Sequence, residues 1–574
     1  MKVLSLSIHF LFFFHFSFNS FSQNLEVISL KKGPQATGSI NLNTVGYGAW
    51  GIPQRRDPFS WFLTGNLNLT LFGYAAPFSF SYSNTNHSYS QPFNQFKFAP
   101  QYKWIKTYVG NTSMTFSPYT LAGHMFYGGG VELTPGKWRI GLMYGRLNKA
   151  VPFNPLDTLQ YAKASYQRMG YGIKVGYETN GDAISFNIFS AKDNPASIPF
   201  VPFENKITPQ QNVAMGLSLH KRLFSKFFVN LDYSVSVLNT NILGNVEGDT
   251  AKVKPTFNFL QGLLPYNTTT RSFDAINTGI GYQGEQYSIQ LKYERVAPEY
   301  QTLGGYYFNN DMRNITVATN VRLFQNKMAL GTNIGMQENN LDKSRTATTS
   351  RTVGSGNLQF TPNKNWNISA NYSNFNSYTK NRSLADPFYK NSLDSLNFYQ
   401  VSQTMSGTIQ RMLGTKENPQ TIMFSGNYQR AGNKSASDKT AQLSDFLSGN
   451  TSYSYAIPSS QLTLAISANV YSNNTAGTNI SFFGPSLSAN KTFLDKTFRC
   501  SYSTSYNKTA SNAPSSPIWN NQLNISYAPR GKKEGSAGKS NFSLMMNMLK
   551  KLETIGTQYA FTELTATLNY SRSF

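Results

Sequence analysis

Beyond its first residues the chain holds few groups of the kind that do chemistry. Three histidines, His87, His124 and His220, and one cysteine, Cys500, follow the N-terminal apolar stretch. A metal site needs clustered ligands, and no two of these histidines are close in sequence, so no metal is expected. Cys500 has no partner for a disulfide within the chain and reads as a small apolar strand residue. His87 lies in a polar stretch (SNTNHSYS) and reads as a solvated loop residue. His220, beside Lys221 and Arg222, reads as a strand end at a rim. His124 (TLAGHMF) is the one that could serve acyl chemistry, with Ser113 or Ser117 as partner. Nothing marks either serine, and no Gly-x-Ser-x-Gly elbow is present. The run Gly128–Gly130 lacks both the strand–loop–helix setting and the Gly-Lys-Ser/Thr ending of a phosphate loop. The 27 acids are scattered, with no pair set for sugar hydrolysis. The expectation is a protein with no catalytic residue, no cofactor and no metal, and not an enzyme.

Three cations stand out by their setting instead. Arg139 (KWRIGLMYG), Lys174 (YGIKVGYE) and Lys292 (QYSIQLKYE) each interrupt the polar side of a two-residue alternation whose other side is apolar and aromatic. Such alternation is a strand with two unlike faces. If the aromatic faces meet lipid, these three point into a lumen, where inward Arg and Lys tune selectivity. The alternative is that they are solvated and paired with acids such as Glu294.

The elements that would position them recur along the whole chain. In SWFLTGNLNLTLF, Leu63, Leu67, Leu69 and Leu71 oppose Thr64, Asn66, Asn68 and Thr70; NWNISANYS and QLTLAISANVY repeat the pattern. Aromatics sit at the ends of many apolar faces, as in the girdles that bracket a lipid-facing band. Very short connections such as Pro135-Gly136, Asn180-Gly181-Asp182, Gln283-Gly284-Glu285, Asn363-Lys364-Asn365 and Pro458-Ser459-Ser460 alternate with long polar ones such as 192–210, 239–269, 377–396 and 430–447. Segregated short and long connections are the signature of a meander in a membrane barrel. The pattern predicts an all-β, transmembrane antiparallel β-barrel of roughly 26 strands, within 22–26, with short periplasmic turns and long extracellular loops. An even count puts both termini on the periplasmic side.

Composition agrees. Of 574 residues, charged ones make up 14% and aromatics another 14%. That charge is well below the usual quarter of a soluble domain, and those aromatics exclude a disordered chain. Lys and Arg outnumber Asp and Glu 51 to 27, for a net +24. The excess is spread thinly, in runs no longer than Lys31-Lys32 or Arg55-Arg56, so nucleic acid is not an expected partner. Anionic lipid head groups or a lumen favouring anions remain as readings. The start, MKVLSLSIHFLFFFHFSFNSFSQN, has a basic residue, a short apolar run, and Ser20 and Ser22 before Gln23. It reads as a signal peptide over 1–22. A short periplasmic segment over 23–37 and a barrel over 38–574 follow. No later apolar run is long enough for a membrane helix.

The last residues, LTATLNYSRSF, alternate once more, with Leu568, Tyr570 and Phe574 on the apolar side and a break at Arg572. This tail resembles the C-terminal signal of bacterial outer-membrane proteins; the resemblance implies a barrel-closing strand recognised by the barrel assembly machinery. The stretches GSINLNTVGYGAWGIPQRRDPFSWFLTGNLNLTLFGY (38–74) and FSPYTLAGHMFYGGGVELTPGKWRIGLMYGRLNKAV (116–151) resemble large outer-membrane β-barrel proteins of the Bacteroidota type. That implies a porin-like barrel in the outer membrane of a Gram-negative bacterium, against lipid and lipopolysaccharide. A barrel this wide with no plug region calls for inward loops or a partner protein to fill its lumen. The function expected is a pore or transport channel for small polar or anionic solutes. The alternative is a non-conducting scaffold, or a subunit for secretion or surface assembly, with partner-binding loops.

Overall fold

The computed structural model describes residues 35–71, 74–84, 94–153, 164–199, 207–244, 260–306, 309–344, 348, 350–375, 377–380, 398–433, 443–475, 478–511, 517–529, 539–553 and 560–574. The leader expected over 1–22, and His87, lie outside them.

The alternating runs form antiparallel strands, each paired with the strand before it and the strand after it. The 28 strand segments make 26 staves, because Gln95–Phe98 and Gln101–Tyr102 share one stave, and Trp366–Ser373 and Ser377–Lys380 share another. Pro100 explains the first break, since it has no N–H to give the ladder. The sheet closes on itself. The strand Gln35–Trp50 pairs along its length with Phe561–Ser573. Phe574 N–H donates to the Gly38 carbonyl (3.0 Å), and Gly38 N–H donates to the Phe574 carbonyl (2.8 Å). The fold is a closed, all-antiparallel, 26-strand β-barrel. Its first strand starts at Gln35, three residues before the expected boundary.

Closure leaves no free strand edge, which is the condition for crossing a bilayer with strands. Most staves have 10–17 residues, against the roughly 9–11 that a tilted strand needs. The apolar face of the alternation points outward and is uncovered: Tyr144, Tyr171, Ile289 and Leu487 are exposed. Among the described residues no helix is long and apolar enough to cross a membrane; this barrel crosses with strands, behind an apolar outer band of the outer-membrane kind.

Connections at one rim are tight, and those at the other are mostly long. Two depart from the rule. Only two residues join Leu462–Thr475 to Thr478–Phe493 at the long-loop rim, and 528–539 is long at the tight-turn rim. Several tight turns hold non-glycine residues in left-handed backbone, such as Phe224 with Ser225 and Leu494 with Asp495 and Lys496. This is the twist that a short antiparallel turn demands.

Two apolar clusters pack against the wall from opposite sides. Outside, near the long-loop rim, Leu260 and Leu264 close over the outward Val213, Val235 and Val237. Inside, a larger cluster joins Phe116, Tyr119, Leu121, Phe126, Phe189, Phe273, Tyr300 and Leu303. This interior cluster builds the candidate site.

Candidate functional site: a lumen lined on one half

Two loops from the long-loop rim fold inward and form an inner layer. The first, 116–121, joins Ile105–Thr115 to Ala122–Leu133; the second, 297–311, joins Tyr287–Val296 to Met312–Leu323. They bind each other through backbone. Ala122 N–H donates to the Gly304 carbonyl (2.8 Å). The Tyr300 hydroxyl donates to the Tyr119 carbonyl (2.5 Å), and the Thr302 hydroxyl oxygen lies 3.2 Å from the Thr120 carbonyl oxygen. Gly304 is required at this approach. A Cβ there would lie 2.5 Å from the Thr120 carbonyl oxygen and 2.9 Å from the Phe189 ring.

The wall receives this layer with small and polar inward residues. Gly141 and Gly172, on adjacent strands, leave the space that the Phe116 ring fills; a Cβ on Gly172 would sit 2.7 Å from that ring. Asn212, wholly buried, accepts at Oδ1 from the Thr302 hydroxyl and the Leu303 N–H, both at 3.0 Å. Ser236 donates to the Gln301 carbonyl (2.7 Å), and the Thr120 hydroxyl to Asn187 Oδ1 (2.7 Å). Each of these buried polar atoms has its partner, which is what keeps a polar inner layer from being costly.

From this layer a chain of hydrogen bonds runs along the wall. The Tyr119 hydroxyl donates to Glu294 (2.8 Å), whose other oxygen accepts from Asn314 Nδ2 (3.1 Å). Asn314 Oδ1 accepts from Gln337 Nε2 (2.9 Å), and Gln337 Oε1 accepts from the Arg351 guanidinium (2.7 and 2.9 Å). Nearer the long-loop rim, Arg168 grips Asp193 with two nitrogens (2.7 and 2.9 Å) and reaches Gln210 (3.0 Å). A bidentate pair of this kind fixes orientation as well as charge.

The three cations singled out from the sequence all stand on inward positions, on the turn side of the inner layer. Arg139 and Lys174 line one cavity of ≈ 350 Å³ with Glu132 and Glu178. Lys292 lines a neighbouring one of ≈ 310 Å³ with Asp232 and His220. Glu294, the example of an acid partner in the alternative reading, is bound by Tyr119 and Asn314. Arg139 is bound to Glu178 (2.9 Å), and Lys174 donates to the Phe116 carbonyl (2.9 Å). Lys174 therefore ties the inner layer down rather than standing free in the lumen.

His124 is buried and stacks on Tyr306 of the second loop, ring centres 4.2 Å apart, and its Nδ1–H donates to the Met125 carbonyl (2.7 Å). Ser117 holds the Tyr119 N–H (3.2 Å) and Thr120 hydroxyl (3.1 Å) within its own loop, and Ser113 stands on the opposite, outward face. The structure thus places the candidate serines in other roles. His220 stands inward near the tight-turn rim, bound to Asn230. Among the described residues no three His, Cys, Asp or Glu side chains gather as a metal site would need. At the tail, Leu568 and Tyr570 stand on the outer face, and the Tyr570 ring packs on Phe542 at 4.7 Å.

Among the described residues the inner layer covers only the N-terminal half of the wall. In the described strands from Trp366 to Tyr527 the inward face is built mainly of Asn, Ser, Thr and Gln, half-buried or exposed, with apolar residues such as Met412, Phe446, Tyr471 and Phe482 among them. Among the described residues of these strands, Arg499, near the turn rim, is the one inward charge. Short amide and hydroxyl contacts run across it: Asn450 to Asn469 (2.6 Å), Ser467 with Ser486 (2.5 Å) and Asn469 to Ser486 (3.4 Å).

No family model and no curated protein matches the sequence. Among solved structures the chain is similar to OccK11 (OpdR) of Pseudomonas aeruginosa, with 9% identity, a TM-score of 0.27, and 64% of this chain and 91% of that one covered. It is similar to OccAB2 of Acinetobacter baumannii at 8% identity and TM-score 0.25, covering 68% and 97%. It is also similar to the P pilus tip assembly intermediate PapC-PapD-PapK-PapG of E. coli at 12% and 0.30, covering 93% and 60%. At such values the properties of those proteins do not pass to this chain.

Proposed function

We propose that the protein is an outer-membrane channel for small polar or anionic solutes, narrowed on one side by its inner layer. One observation carries the reading: the inner layer packs against half of the wall, while the other half keeps a polar, solvent-accessible inner face. A round barrel of 26 strands measures about 50 Å between opposed walls. Two loops of this size do not fill it. Arg139, Lys174 and Lys292 give the cavities beneath the layer a basic share, with Arg139 and Lys174 already engaged. Gln35, where the first described strand begins, and Phe574 lie at the tight-turn rim, which in this reading faces the periplasm, with the long loops outside. Leu568, Tyr570 and Phe574 then present the insertion signal to the barrel assembly machinery. The Bacteroidota type rests on the resemblance of 38–74 and 116–151 alone.

A second reading draws on the same width. The unlined half could hold a folded partner, making the barrel a scaffold for secretion or surface assembly. Solute flux through proteoliposomes decides between them. A channel admits small solutes as the purified chain alone. A folded barrel that admits none supports the scaffold.

A further inference from the structure

We infer that the solute path runs along the C-terminal half of the wall and takes neutral, hydroxyl-rich solutes of the oligosaccharide class in preference to ions of similar size. This rests on the channel reading above and names its substrate class.

Most inward charges sit on the other side; among the exceptions are Arg499, near the turn rim, and Glu563, on the closing strand. Arg139 with Glu178, Arg168 with Asp193, Glu294 and Arg351 all belong to strands before Trp366, and most are bound to one another or to the inner layer. Their field fades within a Debye length, about 8 Å at physiological salt. Arg351 stands on the strand next to Trp366–Ser373, its guanidinium held by Gln337. The wall facing Arg139 and Arg168 is several such lengths away across a barrel of about 50 Å. What a solute meets there is set by the wall itself, by Asn450, Asn469, Ser467 and Ser486 and the amides and hydroxyls around them.

Amide and hydroxyl groups both donate and accept, as sugar hydroxyls do. A wall whose one fixed charge among its described residues, Arg499, lies near the turn rim offers an ion little compensation for lost hydration along most of its length. A sugar can exchange each water contact for a wall contact at little net free energy. Many weak, equivalent contacts along a path let a solute bind and leave, which passage requires. Near the long-loop rim the same inward face carries an aromatic pair, Tyr471 and Phe482, ring centres 5.9 Å apart. Aromatic faces stack on the apolar faces of sugar rings, so the pair sits where an oligosaccharide would enter.

The test uses the full chain refolded into liposomes. Swelling is followed in iso-osmotic glucose, maltose, maltotriose, gluconate and lysine, beside the reversal potential of a planar bilayer under a potassium chloride gradient. The expected result is that glucose enters faster than gluconate or lysine, that maltotriose still enters, and that the reversal potential stays near zero. The double substitution Asn450→Asp with Ser467→Asp is expected to move the reversal potential toward cation selectivity and to slow maltotriose. Tyr471→Ala, on the same face, slows maltotriose more than glucose. Strong anion preference of the wild type, with sugars excluded, overturns the inference while leaving the channel reading in place. A folded barrel with neither swelling nor current overturns the channel reading itself.

Discussion

The phenol of Tyr300 donates to the carbonyl of Tyr119, joining two loops 181 residues apart in sequence inside the barrel. Both residues are buried, and their rings meet edge to face at 6.1 Å. Tyr300 bolts the second loop to the first, and the hydroxyl of Tyr119 carries the link on to Glu294 and the wall.

Tyr300→Phe keeps the ring and removes the bolt. It leaves a buried carbonyl short of a donor, a loss on the order of 1–3 kcal/mol. That is small against the whole barrel and large for two loops. The melting temperature of the refolded protein should hardly move, while protease cleavage within 297–311 quickens. Unchanged cleavage would mean that the layer is held by packing alone.

Lys174 and Arg139 line one cavity and should respond differently to loss of charge. Lys174 is half-buried and holds the Phe116 carbonyl. Lys174→Met strands that carbonyl and should loosen the layer, again read by protease cleavage of the loops. Arg139 pairs with Glu178 where both side chains are well exposed, at 37% and 51%. An exposed pair contributes about 0–1 kcal/mol, so Arg139→Gln should leave cleavage and melting nearly unchanged.

Tyr570 and Phe574 lie on the strand that closes the barrel against Gln35–Trp50. If they also carry the insertion signal, Tyr570→Ala with Phe574→Ala lowers the amount of folded protein in the outer membrane. The same variant, purified and refolded in detergent, should still reach the closed barrel. Equal losses in both settings would assign these residues a structural part alone.

At the turn rim, the Lys221 ammonium and the Arg222 N–H hold the Asp182 carboxyl below its usual range. A carboxyl depressed in the folded state stabilises it above the unfolded value, about 3.9, and the contribution fades as pH falls through the lower folded value. The gap in melting temperature between wild type and Asp182→Asn, positive near neutral pH, should therefore close in the acid range. A gap that widens there would reverse the assignment.

The barrel was legible because alternation is local. Tyr171 and Ile289 show their outward face within a few residues of text, and tight turns such as Gly136 mark where the strand reverses. The number of staves followed from the same signs. The inner layer was not legible that way, since neither loop has a period. It did leave a trace: Tyr119-Thr120-Leu121-Ala122-Gly123 and Tyr300-Gln301-Thr302-Leu303-Gly304-Gly305 are close variants of one phrase, and they are the segments that bind each other. A second trace is glycine at inward positions such as Gly141 and Gly172, where a water-filled lumen would need no space cleared. Arg139, Lys174 and Lys292 have inward parity, which alternation alone displays. The partners of Arg139 and Lys174 were not readable, because Glu178 and Phe116 lie 39 and 58 residues away in sequence.

In the proposed channel, half of the lumen stays open beside a packed inner layer. Single-channel recording in a planar bilayer tests it most directly, comparing the wild type with a variant in which 297–311 is replaced by a short Gly-Ser linker. Stable current steps are expected from the wild type and larger ones from the variant, because the second loop narrows a path that already exists. A correctly folded wild type that passes no current, with current appearing only in the variant, would contradict it, since the inner layer would then seal the barrel.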